Sequence, residues 1–287
     1  MNRIEVTGPE DSDRQAFGER VELEQRPDGI AIVTLNNPPV NALTSEVFAE
    51  LAAVTGVLER TRPGAVVLMG ATKVFALGGE ISEYYRTRFR GRTDISDADL
   101  DEAVGHITDP AYIRQLGEKY LATFEGFANL PMTTIAAISG ITFGGGLELT
   151  LMCDMRIASA RAKFAAPEVT LGGTSIGGGV FRATQLIGPS EAKRLYLGGQ
   201  QIDATEAHRI GLVDEVVSSE SLFDRAIELA QTFARYAGPA QGMLKGMINV
   251  GPELTAGEAA RVELDQWCAS YATPEAKAQL RAFLAGG

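Results

Sequence analysis

Cysteine and histidine are scarce in this 287-residue chain, with two of each, and tryptophan occurs once. Two cysteines, Cys153 and Cys268, supply neither a disulfide framework nor a thiolate metal cluster. Two histidines are too few for a His-rich zinc site, so no metal is expected. Basic charge is also short. Lys and Arg total 26 against 37 Asp and Glu, which leaves a net charge of −11 and a pI of about 4.8. Without a clustered basic surface, that balance argues against nucleic acid or an anionic membrane as the main partner. It leaves room for an anionic small ligand, because a few local Lys or Arg residues can hold phosphate within an acidic protein. Long hydrophobic runs are missing as well: none approaches the roughly 18 apolar residues of a membrane span. The opening MNRIEVTGPEDSDRQAFGER carries no apolar signal-peptide core. A cytoplasmic protein with no membrane partner is the expectation.

What is present is a chain 45% hydrophobic, enough for a large core. Residues 1–20 read by composition as a flexible arm. Residues 21–35 have a hairpin pattern around Pro27-Asp28-Gly29. Thr44 can cap a helix running to about Arg60, and 65–69 form a continuous apolar run of the kind a buried strand shows. The segment 86–110 is charged, first basic and then acidic, and reads as a surface excursion between core elements. Helical character returns over 111–127. A strand at 133–139, a turn at Gly144-Gly145-Gly146 and an apolar helix at 147–153 then make a compact unit. Short strands at 155–158 and 163–165, helices near 190–197 and 204–210, and a strand within 211–217 follow. From Ser221 onward the pattern is helical, broken at Gly238-Pro239, Gly251-Pro252 and Thr273-Pro274. Strands alternating with helices and ending in a helical tail indicate an α/β protein.

Three glycine-bearing turns stand out. Gly144-Gly145-Gly146-Leu147-Glu148 lets the backbone turn sharply from strand to helix, and the first amides of a helix lack intrahelical acceptors. Such a turn suits a phosphate or a developing oxyanion, with Glu148 close by. Val74-Phe75-Ala76-Leu77-Gly78-Gly79 can present another backbone amide. Phe164-Ala165-Ala166-Pro167-Glu168 sets a carboxylate at a loop entrance, before the glycine-rich GGTSIGGG at 172–179. That run has no GxxxxGK[ST] pattern, which excludes a Walker-type phosphate loop. Cys153 lies in an apolar helix and reads as core. His106 reads as a surface histidine, and Asp154 and Arg156 as structural residues.

The order of these motifs resembles the crotonase superfamily, that of enoyl-CoA hydratases and isomerases, and most closely its hydratases. The resemblance covers roughly residues 20–285. It rests on NNPPVNALT at 36–44, VFALGGEI at 74–81, ISGITFGGGLELTLMCDMRIAS at 138–159, FAAPEVTLG at 164–172, LGGQQIDATEAHRIGLVDEVV at 197–217 and TPEAKAQLRAFL at 273–284. It implies a crotonase-like spiral of ββα units over 21–217, with 86–110 as a variable excursion. A C-terminal helical region over 218–287 would mediate trimerisation, giving a homotrimer or a dimer of trimers.

The implied substrate is an acyl-CoA or related thioester, with coenzyme A entering as part of the substrate and no separate cofactor. The resemblance puts an oxyanion hole at the backbone N–H groups of Leu77 and Gly145, and acid–base work on Glu148 and Glu168. Glu148 would activate water and Glu168 would deliver a proton to Cα. Lys73, Ala76, Gly78, Gly144 and Gly172 would line the bound substrate, with Lys73 and Lys245 as candidate phosphate contacts. Both carboxylates are present, which favours hydration. Double-bond isomerisation, CoA-independent cleavage of a β-diketone and a non-catalytic trimeric scaffold are the alternatives. After Leu171-Gly172 the sequence departs from the family pattern, with Ser175 and Val180-Phe181 where relatives carry a proline and a polar pair.

Overall fold

The computed structural model describes residues 13–79, 83–236 and 238–285. In chain order the first elements are β1 (Asp13–Ala16), β2 (Val21–Gln25), β3 (Ile30–Leu35), β4 (Ala42–Leu43), α1 (Ser45–Thr61), β5 (Ala65–Gly70) and β6 (Gly78–Gly79). Three helices follow, α2 (Glu83–Arg88), α3 (Asp97–Ile107) and α4 (Pro110–Ala128). Next come β7 (Thr133–Ile138), β8 (Ile141–Phe143), α5 (Gly145–Leu151), β9 (Met155–Ser159) and β10 (Lys163–Ala165). A 3-10 turn (Pro167–Leu171) leads to α6 (Gly179–Gly198), β11 (Ile202–Asp203), α7 (Ala204–Arg209) and β12 (Glu215–Val217). The chain closes with α8 (Leu222–Ala234), α9 (Pro239–Val250), α10 (Ala256–Ala272) and α11 (Pro274–Leu284).

Seven strands form the main sheet in the order β1-β2-β3-β5-β7-β9-β12. The first three pair antiparallel, as a hairpin dictates, and the remaining neighbours pair parallel through helical crossovers. The strands β5 and β7 are apolar on both faces because both faces are covered. Ala31, Val33, Leu35, Val66, Leu68, Ala136 and Ile138 face α1, α4 and α5. Their alternating neighbours Ile32, Val67, Met69, Ile135 and Ala137 face Ala226, Ile227 and Ala230 of α8. A smaller sheet, β11-β10-β8, packs over the first face, and β4 pairs with β6. This mixed α/β architecture, with its helical C-terminal region, agrees with the expectation from the motifs.

One sequence expectation changes, and one is filled in. The arm assigned to 1–20 is not an arm throughout: Asp13–Ala16 pair with β2 in register Asp13↔Gln25, while residues 1–12 lie outside the described residues. The excursion at 86–110 is mostly helical. Ser96 and Asp99 form a reciprocal capping box at the start of α3, and Asp109 caps α4 ahead of Pro110. Among the described residues, no helix is long and apolar enough to cross a membrane.

Candidate active site

The site forms where β6, α5, the 3-10 turn and the start of α6 converge. The β8 strand brings the first two together: Ile141 O accepts from Phe75 N and Ala76 N, and Phe143 N donates to Ala76 O. Gly144 N then donates to Ala165 O at 2.9 Å, tying the turn to the end of β10, three residues before Glu168. Gly144 has φ 51° and ψ −125°, a conformation that favours glycine. A Cβ there would collide with Glu168 Oε1, so the missing side chain is also what admits the carboxylate. Gly146 approaches the Ala76 carbonyl equally closely, which seats α5 against the strand.

Gly145 is the first residue of α5, and its N–H has no intrahelical acceptor. A Cβ on Gly145 would lie 3.3 Å from the Gly79 nitrogen, and one on Gly78 would lie 3.1 Å from the Gly145 nitrogen. The two glycine turns therefore meet backbone to backbone. Leu77 does not fill the role assigned to it: its N–H donates to Val40 O at 3.0 Å, and its side chain is exposed. That bond explains the correction, because it spends the Leu77 amide on the segment that leads into β4.

Glu148 is 2% exposed. Its Oε1 accepts from Ile176 N at 2.9 Å, and Gly179 at the start of α6 lies against its side chain. Glu168 is half-buried, and its Oε2 accepts from Ser175 Oγ at 3.2 Å. Burial, followed by the charge of Glu168, pushes the Glu148 carboxyl from 4.5 up to about 8; the Ile176 amide and the Ser175 hydroxyl pull the other way. Burial therefore favours the protonated form of Glu148.

Several functional contacts escaped sequence reasoning. Ser175 and Ile176 belong to the atypical loop after Gly172, and both donate to the carboxylates. Tyr120 of α4 is buried with its hydroxyl against Gly79 and its ring edge beside Gly145. Its phenol is pushed up by burial and then by Glu148. The signal for Tyr120 was an aromatic stripe, Tyr120-Phe124-Phe127, which also describes ordinary core.

The other candidates are placed as follows. Ala76 is buried, and Gly172 ends the 3-10 turn at φ 74°. Lys73 is exposed on the turn after β5, with its carbonyl against Gly140. Lys245 does not point at a phosphate: its Nζ donates to Asp154 Oδ2 at 2.8 Å and to Met132 O at 3.2 Å, pinning α9 to the sheet. Asp154 also accepts from Thr134, and Arg156 donates to Cys153 O and Leu212 O, structural roles as anticipated. Cys153 is buried, and burial pushes its thiol up to about 12. His106 stacks on Tyr84 and lies beside Tyr112. No group of three or more His, Cys, Asp or Glu among the described residues is placed to hold a metal.

Comparison with known proteins follows the same line. A family model described as enoyl-CoA hydratase/isomerase matches residues 25–285. A probable enoyl-CoA hydratase of Rhizobium meliloti is 37% identical over 258 residues, covering 89% of this chain and 91% of that protein. A short-chain-enoyl-CoA hydratase of Clostridium acetobutylicum is 34% identical, with coverage of 89% and 91%. Among solved structures, an enoyl-CoA hydratase from Bacillus anthracis superposes with a TM-score of 0.77 at 28% identity, covering 96% of this chain and 97% of that one. With its motifs, fold and relatives in agreement over nearly its whole length, the chain belongs to the enoyl-CoA hydratase/isomerase family.

Proposed function

We propose that this enzyme adds water across the α,β double bond of an enoyl-CoA thioester. The observation that carries the reading is a pair of electrostatically coupled carboxyl groups held by one loop, Glu148 by the Ile176 amide and Glu168 by the Ser175 hydroxyl, with Glu168 against the Gly144 turn next to the Gly145 amide. Polarising the thioester oxygen makes Cβ electrophilic, because addition there yields an enolate. The Gly145 N–H and, in place of Leu77, the Gly79 N–H take that oxygen; each such donor is worth about 3 kcal/mol in the transition state.

One proton serves the pair. In the resting site it sits on Glu148. A water bridging the two carboxyls relays it to Glu168. Glu148 then accepts a proton from the attacking water as its oxygen bonds to Cβ, and Glu168 gives its proton to Cα. Turnover leaves the proton on Glu148, which is the resting state again, so the cycle closes without an external acid. Such coupled groups titrate as a pair.

The same reading makes coenzyme A part of the substrate, with no further cofactor, in a cytoplasmic setting. It also makes the molecule a homotrimer or a dimer of trimers. The support is that α9, α10 and α11 bury none of their residues, while Leu244, Ile248, Leu264, Trp267, Phe283 and Leu284 stand exposed.

The test is the loss of conjugated-thioester absorbance on short, long and aromatic enoyl-CoA substrates. Wild type should consume at least one of them, and Glu148→Ala and Glu168→Ala should each lose at least about 100-fold in kcat. Retention of turnover by Glu148→Ala, with a shifted double bond as product, would replace hydration by isomerisation.

A further inference from the structure

Helix α6 joins the two halves of the acid–base pair. At its start, a Cβ on Gly179 would lie 2.6 Å from Glu148 Cγ. Just past its end, one on Gly199 would lie 3.0 Å from Val169 and 3.1 Å from Thr170, in the turn that carries Glu168. Tyr196 sits in the last turn of this helix, four residues after the buried Ala192 and beside the buried Leu195, so it shares the inward face. Its ring packs on the main core. Its hydroxyl oxygen is fully buried and has no hydrogen-bond partner.

A buried hydroxyl left unpaired costs about 1–3 kcal/mol, and native proteins rarely keep one without a use. Phenylalanine would fill the same space at no such cost. The surroundings indicate what the hydroxyl is for. Burial, and after it the charges of Glu148 from α5 and Glu168 from the 3-10 turn, push the pKa of the Tyr196 phenol upward. Tyr120 of α4 feels Glu148 and Glu168 as well, together with Glu83. On α6 itself, Lys193 is exposed, while Glu191 and Arg194 are bound into a surface network with Glu206 and Arg209. The phenol stays a neutral donor, within electrostatic reach of both catalytic carboxyls.

We propose that the Tyr196 hydroxyl is a third hydrogen-bonding contact for the water that Glu148 and Glu168 hold, a role outside the oxyanion hole and the glutamate pair. The inference rests on the hydratase reading given above. A water adding to Cβ gives its hydrogens to carboxyl oxygens and one lone pair to carbon; Tyr196 donates to the other lone pair. That donation fixes the orientation of the attacking oxygen. Through the same water, the donor also favours the ionised form of the carboxyl pair.

Tyr196→Phe tests this with little risk to folding, since it removes one oxygen from a packed ring. The first readout is the titration of the buried carboxyl by infrared difference spectroscopy, which needs no turnover, with Glu148→Gln identifying the band. In Tyr196→Phe the protonated carboxyl should persist about one pH unit higher than in wild type. The second is hydration kinetics: kcat should fall about tenfold or more with KM unchanged, and the acid limb of the kcat profile should move up in step. Unchanged titration and unchanged kcat, with a more heat-stable protein because an unpaired hydroxyl has gone, would overturn the proposal. Should wild type hydrate no enoyl thioester while the infrared shift appears, the hydratase reading fails and the coupling of Tyr196 to the pair stands.

Discussion

At the scale of single residues, Glu148 carries the largest conflict between stability and use. Its carboxyl is buried, holds one bond from the Ile176 amide, and has a second carboxylate as neighbour. Its folded value of about 8 lies above the unfolded 4.5, so the folded protein binds the extra proton between those two values. Stability on this account is fully present below about pH 4.5 and is lost as pH rises through about 8. Glu148→Gln removes the ionisation and with it that slope. Urea unfolding at about pH 5 should show little difference from wild type, whereas at about pH 9 the variant should be more stable by a few kcal/mol. An offset of equal size at both pH values would show that the carboxyl is not the titrating group.

Gly144 makes the complementary case. Its positive φ and its contact with Glu168 both forbid a side chain. Gly144→Ala should cost about 1–3 kcal/mol in denaturation and, by displacing Glu168, remove at least about 100-fold of kcat. A variant that loses stability but keeps kcat would separate the turn from the chemistry.

Among elements, legibility from sequence divides along a physical line. The buried strands β5 and β7 were readable as apolar runs, and α1 as a Thr44-capped helix, because burial and capping leave local marks. The two glutamates were found through the motifs around them. The partner of each amide was not readable, since it depends on how distant segments meet: Leu77 N–H goes to Val40 O, 37 positions away in the segment that leads into β4. Nor was the purpose of the 172–179 loop. Its glycines and Ser175 mark it as unusual, but the Ile176 N–H reaching Glu148 is a backbone contact across 28 residues. Ser175 donates from that same loop, so Ser175→Ala should raise the apparent pKa of the pair and lower kcat several-fold, with KM for the thioester kept. A pH profile superposing on wild type would remove Ser175 from the machinery.

The 86–110 segment teaches the opposite lesson. Its charge marks a surface excursion without assigning it regular structure of its own, and α3 is stabilised locally by the Ser96–Asp99 capping box and the Arg92–Asp99 pair, with His106 stacked on Tyr84. His106→Ala should therefore loosen α2 and α3, seen as faster amide exchange there, while kcat and its pH profile stay as in wild type. Loss of one limb of that profile would make His106 an acid–base group after all.

For the whole molecule, the decisive imbalance lies between a doubly covered sheet and a helical region that buries none of its residues. The core closes on both faces of the main sheet with α1, α4, α5 and α8. Beyond α8, the chain places Trp267, Tyr271, Leu264, Leu280 and Phe283 at the surface, together an exposed apolar area of the kind that marks an interaction site. Helices of this kind are stabilised by the packing of an apolar face rather than by propensity, so on the proposed reading a closed symmetric assembly covers α10 and α11. Sedimentation should give a mass near three or six times the 30.5 kDa chain. Trp267→Arg should shift the population to smaller species and lower the unfolding temperature of the C-terminal region, in a manner that depends on protein concentration. Because Glu148 and Glu168 are held by one loop of the same chain, dilution of such a variant should reduce activity through instability alone, with KM and the pH profile held. A monomeric wild type of full stability would instead assign the apolar face of α9–α11 to some other partner, and a dissociated variant with altered KM would show that a neighbouring chain completes the substrate site.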